Sequence, residues 1–250
     1  MSTAGELALV TGAGRAEGLG YGLCAALAAR GYRVLLAARD GEAARELAAR
    51  LSAQGGAVVP LQLDIADAAS VAAAAEHIRS QYDRLRLLIN NAGIGNIASG
   101  APRGTRPASA DLAAARRMME VNLFGSWQLT QALLPLLRAH GQGRIVNVSS
   151  GAGTYGDARF GLAAGNAMGP GYGLSKLGLN GLTALLAEEL AGSGVLVNAV
   201  CPGFTATFEE ALEMGARPVA EGVEGILWAA ELPDDGPSGG FYRDRERLPW

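Results

Sequence analysis

Short apolar runs alternate along the chain with longer helical patterns. The short runs lie at about Leu7–Thr11, Arg33–Ala37, Val58–Gln62, Arg86–Asn90, Gly143–Ser149 and Val195–Val200, with a weaker one at Gly240–Tyr242. Each is bounded by turn residues and reads as a strand. Helices are predicted over Leu19–Arg30, Gly41–Ala53, Ser70–Tyr82, Asp111–Ala139, Gly171–Ala191 and Val219–Ala230. The strand runs are nearly all apolar instead of alternating, as expected where both faces of a sheet are covered. The pattern predicts an α/β fold: one doubly wound parallel sheet of about seven strands with helices on both faces. No low-complexity linker breaks the series, so residues 1–250 read as a single domain. Two longer stretches, Gly93–Ala110 and Gly151–Gly171, each begin just past a strand's carboxyl end. Open α/β sheets bind ligands at that end.

Composition narrows the classes. Hydrophobic residues make up 49% and charged residues 18%, enough apolar side chain for a sizeable core, which excludes disorder. The formal net charge of −3 leaves no overall basic footprint for nucleic acid. Arg243, Arg245 and Arg247 alternate with Asp244 and Glu246 near the C-terminus and read as a solvated tail in preference to a binding patch. Cys24 and Cys201 read as small buried hydrophobes suited to a reducing compartment. The two histidines, His77 and His140, lie far apart in polar settings, and no metal-ligand cluster is expected. Neither a targeting segment nor a membrane-length apolar run is present. The expected location is the cytoplasm, with no membrane partner.

Candidate chemistry begins after the first strand, in Thr11-Gly12-Ala13-Gly14-Arg15-Ala16-Glu17-Gly18-Leu19-Gly20, which opens a helix. Glycines let the backbone approach a pyrophosphate closely, and the helix that follows offers free N–H groups and a positive dipole end. Gly12, Arg15, Gly18, Leu19 and Gly20 are therefore candidate phosphate-binding residues. The end of the second strand selects the dinucleotide. An acidic residue there bonds a ribose 2′-hydroxyl. Here the strand ends in Arg39, whose guanidinium can clamp a 2′-phosphate, so NADP(H) is expected over NAD. The bland alternative for Arg39 is an exposed loop charge. Asp64, followed by Ile65, ends the third strand. It can accept a bond from an adenine amino group or cap the helix starting near Ser70.

Tyr172-Gly173-Leu174-Ser175-Lys176 opens another helix. Tyr172 and Lys176 are four apart and share a face. A phenol with a free pKa of about 10 is a poor proton carrier near neutrality, and a neighbouring ammonium is expected to lower it. Ser150, at the end of the fifth strand, can bond a substrate oxygen. Asn122 is a polar residue in an apolar helical stretch. It reads either as the holder of a water next to Lys176 or as a buried hydrogen-bonding or helix-bending residue.

These features, in this order, resemble the short-chain dehydrogenase/reductase family over essentially the whole chain. They are the Thr11-Gly12-Ala13…Gly18-Leu19-Gly20 loop, Asp64, Asn90-Asn91-Ala92-Gly93, Asn122, Ser150, Tyr172/Lys176 and Cys201-Pro202-Gly203. The resemblance implies a Rossmann-type sheet and a catalytic tetrad of Asn122, Ser150, Tyr172 and Lys176. In it Tyr172 exchanges the proton, Ser150 orients the carbonyl oxygen, Lys176 binds the nicotinamide ribose, and Asn122 supports a water relay. It further implies that Asn91, Ala92 and Gly93 flank the cofactor ribose and that Pro202, Gly203, Thr205 and Thr207 meet the carboxamide. Ala38-Arg39-Asp40, Tyr172 to Lys176 and Asn198…Cys201-Pro202-Gly203-Phe204 are most similar to the carbonyl reductase subgroup. That likeness implies NADPH-driven reduction of a ketone or aldehyde, or the reverse oxidation.

The chain departs from the family pattern in two places. Five residues, Ala13 to Glu17, separate Gly12 from Gly18, two more than usual, and Glu17 brings a negative charge near the expected pyrophosphate. Tyr172 follows Ser150 by 22 residues, an intermediate length that leaves monomer and homo-oligomer both open. Within that stretch Tyr155, Phe160, Leu162 and Met168 are expected to wall a substrate pocket. The segment near 204–218 is short, so a small lid over an open apolar site for a bulky small-molecule carbonyl or alcohol is expected. Fold alone does not settle chemistry. A non-redox cyclase or isomerase using the cofactor structurally is the second reading. A cofactor-binding sensor, which would be expected to lose Tyr172 or Lys176, is the third.

Overall fold

The computed structural model describes residues 5–95, 106–164, 168–208 and 211–250. Most of the expected Gly93–Ala110 loop lies outside them, as do 165–167 of the stretch before Tyr172 and 209–210 of the expected lid. The elements run β1 (Leu7–Val10), α1 (Leu19–Ala29), β2 (Arg33–Ala38), α2 (Gly41–Ala53), β3 (Ala57–Gln62), α3 (Ala68–Gln81) and β4 (Leu87–Asn90). They continue with α4 (Leu112–Met119), a π-helical turn (Glu120–Gly125), α5 (Ser126–His140), β5 (Arg144–Val148), α6 (Pro170–Glu189), β6 (Leu196–Val200), α7 (Val219–Ala230), β7 (Phe241–Arg243) and β8 (Glu246–Leu248).

The strands form one sheet in the order β3-β2-β1-β4-β5-β6-β7-β8. Every pairing is parallel except β7–β8. The connection reverses direction between β1 and β4, and the crevice at such a switch point is where open α/β sheets bind ligands. The expected seven strands become eight. Arg243 to Arg247, expected to be a solvated tail, form the last hairpin instead, with Arg243 paired to Glu246. Alternation of charge along an antiparallel edge places every second side chain outward, and this short run is too polar to signal a strand by apolarity.

Alternate strand residues feed two cores. Leu7, Leu9, Leu35, Ala37, Leu88, Ile145 and Val197 pack with residues of α3, α5 and α6. Ala8, Val10, Val34, Leu36, Leu87, Ile89, Val146 and Val200 pack with α1, α2 and α7. Both faces being apolar explains why the strands read as continuous hydrophobic runs. The long predicted helix Asp111–Ala139 is divided by its π turn, which contains Asn122. Single π turns inside helices occur frequently at functional sites.

One polar chain crosses this apolar interior. Asn90 and Asn147 are register partners on β4 and β5. The Asn90 amide donates to Asn147 Oδ1 at 2.8 Å and to Thr130 Oγ1 on α5 at 3.1 Å. The Asn147 amide donates to Thr183 Oγ1 on α6 at 2.9 Å. Both threonine hydroxyls donate onward to carbonyl oxygens of their own helices, at Ser126 and Leu179. The chain thus fixes α5 and α6 to opposite strands just below the carboxyl ends. Asn147→Leu would strand buried partners on both sides and is expected to cost ~2 kcal/mol, read as a lowered urea midpoint.

Candidate active site

At the carboxyl end of β1 the chain turns sharply. Gly12 has φ +69°, and a Cβ there would stand 2.6 Å from the Ala92 Cα. A Cβ on Gly20 would stand 2.5 Å from the Gly12 carbonyl oxygen, so α1 rests directly on the loop. Thr11 and Asn91 lock this loop to the end of β4. Thr11 Oγ1 accepts the N–H groups of Asn91 and Ala92 at 3.0 and 2.9 Å, and the Asn91 amide donates to the Thr11 carbonyl at 2.7 Å. This bracing role of Thr11 emerges only from the β1–β4 pairing. The extra length of the loop is taken up by a turn in which the Gly18 N–H donates to the Arg15 carbonyl. Arg15 and Glu17 both point into solvent.

The N-terminus of α1 is capped by Gly18 with no side-chain bond, and its first turn carries no acidic residue. By contrast α2, α3 and α4 begin at Asp40, Asp67 and Asp111, each of whose carboxylates accepts a first-turn N–H. The uncapped positive end of α1 thus fits an anionic group. Asp40 is occupied by the N–H groups of Glu42 and Ala43, which leaves Arg39 as the exposed side chain at the end of β2. Neither Arg15 nor Arg39 makes an ion pair among the described residues.

Asp64 does not cap α3, contrary to one of the two expectations for it. Asp67 does so, and Asp64 Oδ1 accepts the Ala66 N–H at 3.0 Å. Ser70 reaches back to accept the Asp64 N–H. Six residues span too long a distance for a cap, so the turn between them supplies a nearer carboxylate. The Ile65 side chain belongs to the core, leaving its backbone as the part that faces the β3 end.

The four candidate catalytic residues come together beyond β4 and β5. Lys176 is buried, and its Nζ donates to the Val148 carbonyl at 2.8 Å. It stands 5.8 Å from the centroid of the Tyr172 ring. Ser150 lies two residues past β5, where its Oγ accepts the Ala152 N–H at 3.2 Å. Asn122 is fully buried: Oδ1 accepts the Ile94 N–H at 2.8 Å, while Nδ2 donates to the Ile94 carbonyl and to Ser175 Oγ. Of the two readings of Asn122, this bonding matches the buried structural one: it ties the π turn to the β4 loop and to α6. A Cβ on Gly93 would meet Asn122 Oδ1 at 3.3 Å and Lys176 Nζ at 3.5 Å, so these two side chains face the same space. Ser175 was not singled out from sequence. It accepts from Asn122 and donates to the Tyr172 carbonyl, bridging the π turn and the start of α6. A small polar residue directly before Lys176 was its available signal.

The expected lowering of the Tyr172 pKa is not found. Burial pushes the phenol up to about 12, opposed by a side-chain hydrogen bond with Ser150 and reinforced by Cys201. Burial also pushes the Lys176 ammonium down to about 8, with Cys201 acting in the opposite sense. Desolvation is the largest cause of both shifts.

Beyond β6, Gly203 has φ +76°, and the Thr205 hydroxyl donates to the Pro202 carbonyl at 3.1 Å. Thr205 is buried and Thr207 is partly exposed. Of the expected wall residues, Phe160 meets Phe204 with ring centroids 6.3 Å apart, whereas Tyr155 is 62% exposed. Phe204 in turn meets Phe208 at 6.5 Å. Among the described residues there is no group of three or more His, Cys, Asp or Glu side chains placed to hold a metal ion. No helix among them is long and apolar enough to cross a membrane.

Comparison with known proteins agrees with this geometry. The family model described as short chain dehydrogenase matches residues 6–213. Carbonyl reductase [NADPH] 3 of Rattus norvegicus is 32% identical over 289 aligned residues, covering 100% of both chains. (+)-Neomenthol dehydrogenase of Arabidopsis thaliana is 31% identical, covering 96% of each. The structure of NADPH-bound carbonyl reductase from chicken fatty liver superposes with a TM-score of 0.79 at 28% identity, covering 99% of both chains.

The two shifted groups make stability depend on pH. Between about pH 8 and its ordinary 10.5, Lys176 is neutral in the folded chain and still protonated in the unfolded one, so stability rises with pH in that window. Above about pH 10 the sign reverses, because folded Tyr172 keeps a proton that the unfolded chain releases. From about pH 7 to about pH 10 the Lys176 contribution is expected to add ~2 kcal/mol. Urea unfolding of the wild type and Lys176→Met at both pH values checks this: the variant should lack the rise.

Proposed function

Because the chain belongs to the short-chain dehydrogenase/reductase family, we propose that it is an NADP(H)-dependent oxidoreductase that reduces a ketone or aldehyde to an alcohol, or runs the reverse reaction, with Tyr172 as proton donor. The observation that carries this reading is that Lys176 and Asn122 face Gly93 together, with the Tyr172 ring beside Lys176 and bonded to Ser150, beyond the carboxyl ends of β4 and β5.

The uncapped start of α1, with Gly12, Gly18, Leu19 and Gly20, would hold the pyrophosphate, with Arg15 nearby. Arg39 would hold a 2′-phosphate, and Asp64 with the Ile65 backbone the adenine. Asn91, Ala92 and Gly93 would flank a ribose. Pro202, Gly203, Thr205 and Thr207 would meet the carboxamide. Bound there, the dinucleotide supplies or accepts the hydride.

The protein's own residues do the rest. Tyr172 stays protonated throughout the neutral range, which is the form that can give a proton to a carbonyl oxygen. Ser150 holds that oxygen in line with the phenol. Lys176, from the next turn of α6, would bind ribose hydroxyls and favour the phenolate left after transfer. Asn122 fixes the loop and helix that carry these groups. We take residues 1–250 as one domain, with the segment near 204–218 as a short lid over a bulky, apolar substrate. The Phe160–Phe204 contact supports that substrate class.

A panel of ketones and alcohols assayed by nicotinamide absorbance with both dinucleotides tests the reading. NADPH oxidation by a ketone is expected, and product formation without cofactor turnover would instead favour an isomerase or cyclase. Tyr172→Phe should lower kcat ~10²–10⁴-fold at nearly unchanged KM. Arg39→Ala should raise the NADPH KM ~10-fold or more and leave that for NADH unchanged, because a charge-assisted clamp on a phosphate is lost.

A further inference from the structure

Two adjacent residues of the C-terminal hairpin reach back to both segments that flank the candidate site. Arg243 closes β7. Its Nη2 donates to Asp157 Oδ2 at 2.5 Å, and its Nε lies 3.3 Å from Cys201 Sγ. The Asp157 side chain is 8% exposed and Arg243 is 26% exposed. Asp157 organises the turn on which it sits: Oδ1 accepts the N–H groups of Arg159 and Phe160 at 3.0 and 2.8 Å, and its carbonyl accepts the Gly161 N–H. That turn sets the Phe160 ring against Phe204, and the Arg159 guanidinium lies over both rings, 4.8 and 5.6 Å from their centroids.

Asp244, the next residue, binds the other segment. Its two carboxylate oxygens accept from Arg217 Nη1 and Nη2 at 2.5 and 3.1 Å. Arg217 closes the base of the segment that starts at Phe204. Its N–H donates to the Phe204 carbonyl, and its carbonyl accepts the Ala206 N–H. Its guanidinium lies so close under Gly203 that a Cβ there would stand 2.7 Å from it.

The turn between β7 and β8 has the backbone that two-residue hairpins favour, but not the usual residues for it. Asp244 and Arg245 have φ +52° and +70°. A two-residue hairpin with both φ positive favours Asn-Gly or Asp-Gly, and a side chain such as that of Arg245 is disfavoured there. Burial raises the Asp157 carboxyl, but the bonds from Arg243 and the Phe160 and Arg159 amides outweigh it and hold it below the ordinary value. The Arg217 bond likewise holds Asp244 low. Both ion pairs therefore persist across the neutral range and weaken only when pH falls below the usual carboxylate values.

We propose that Arg243 and Asp244 are positioning residues that join the Asp157 turn to the Phe204–Arg217 segment, so that the hairpin sets the Phe160–Phe204 wall against which a bulky carbonyl substrate rests. This rests on the reductase reading for the substrate, but not for the clamp. Among the described residues neither side chain hydrogen-bonds to Asn122, Ser150, Tyr172 or Lys176, so the direct effect is on the substrate wall.

Asp244→Asn is the decisive variant, because Asn tolerates positive φ and the Asp244–Arg217 pair is solvent-exposed, so the fold is preserved. Arg243→Gln breaks the more buried pair, and Arg243→Lys restores its charge. Hydrogen exchange on the full chain gives a readout that needs no turnover. Asp244→Asn should speed exchange at the Ala206 and Arg217 amides, and Arg243→Gln at Arg159 and Phe160, with Arg243→Lys returning toward wild type. In the assay, each disrupting variant should raise KM for a bulky aromatic ketone ~10-fold and for a small aldehyde far less. Unchanged exchange at these four amides overturns the clamp. Faster exchange with equal losses for the large and small carbonyl overturns its role in the substrate wall. If NADPH is consumed with none of the carbonyls, the reductase reading fails, while the exchange data still decide whether the hairpin joins the two segments.

Discussion

Both faces of the central sheet are covered, and nearly every other feature of the molecule is arranged around that constraint. With helices on each side, a strand residue has no wet face to occupy. Polar side chains are confined to strand ends or must be satisfied across the interior. The chain Thr130–Asn90–Asn147–Thr183 is the interior case. It spends no apolar contact on chemistry, yet it fixes the distance between α5 and α6 beneath the carboxyl ends. Lys176 and Tyr172 stand on α6, and the π turn bearing Asn122 leads directly into α5. The placement of Tyr172, Lys176 and Asn122 is therefore tied to that cross-link.

The carboxyl ends themselves are stiffened by side-chain hydrogen bonds between neighbouring segments. Thr11 and Asn91 fasten the glycine loop to β4. Asn122 and Ser175 fasten the loop after β4 to α6. Ser149 and Asn180 join the end of β5 to the same helix at 2.6 Å, and Asn180 also holds the Gly153 carbonyl. A site meant to hold atoms to within fractions of an ångström needs such support around it. The start of α1 has no side-chain cap, and an anion can take the place of one there.

Lys176 and Tyr172 pull against this economy. Burial disfavours the charged form of each, so the fold carries an electrostatic cost at the position where the reaction is proposed to occur. Perturbed titrations of this kind gather at functional sites because packing can be arranged to produce them. The flanking segments show a complementary arrangement. There, opposite charges meet across long sequence separations, at Asp157–Arg243 and Arg217–Asp244, and each pair holds its carboxylate in the charged form.

Local pattern was enough for the alternation of strands and helices, the parallel sheet, the glycine loop and the Tyr172/Lys176 spacing. Each of these depends on periodicity or on residues close in the chain. The same is true of Arg39 at the end of β2, since its position follows from where an apolar run stops. The tertiary structure decided matters that depend on distant partners. It made Asp67, not Asp64, the cap of α3, because a nearer carboxylate completed the turn. It turned the charged C-terminal stretch into an eighth strand, because a pairing edge and two ion pairs, formed 86 and 27 residues away, stabilise a segment with little apolar character of its own. It also reversed the expected shift of Tyr172. Spacing along a helix reports that a lysine is near, but only packing reports how much water each group has lost, and here that loss is the largest influence on the phenol.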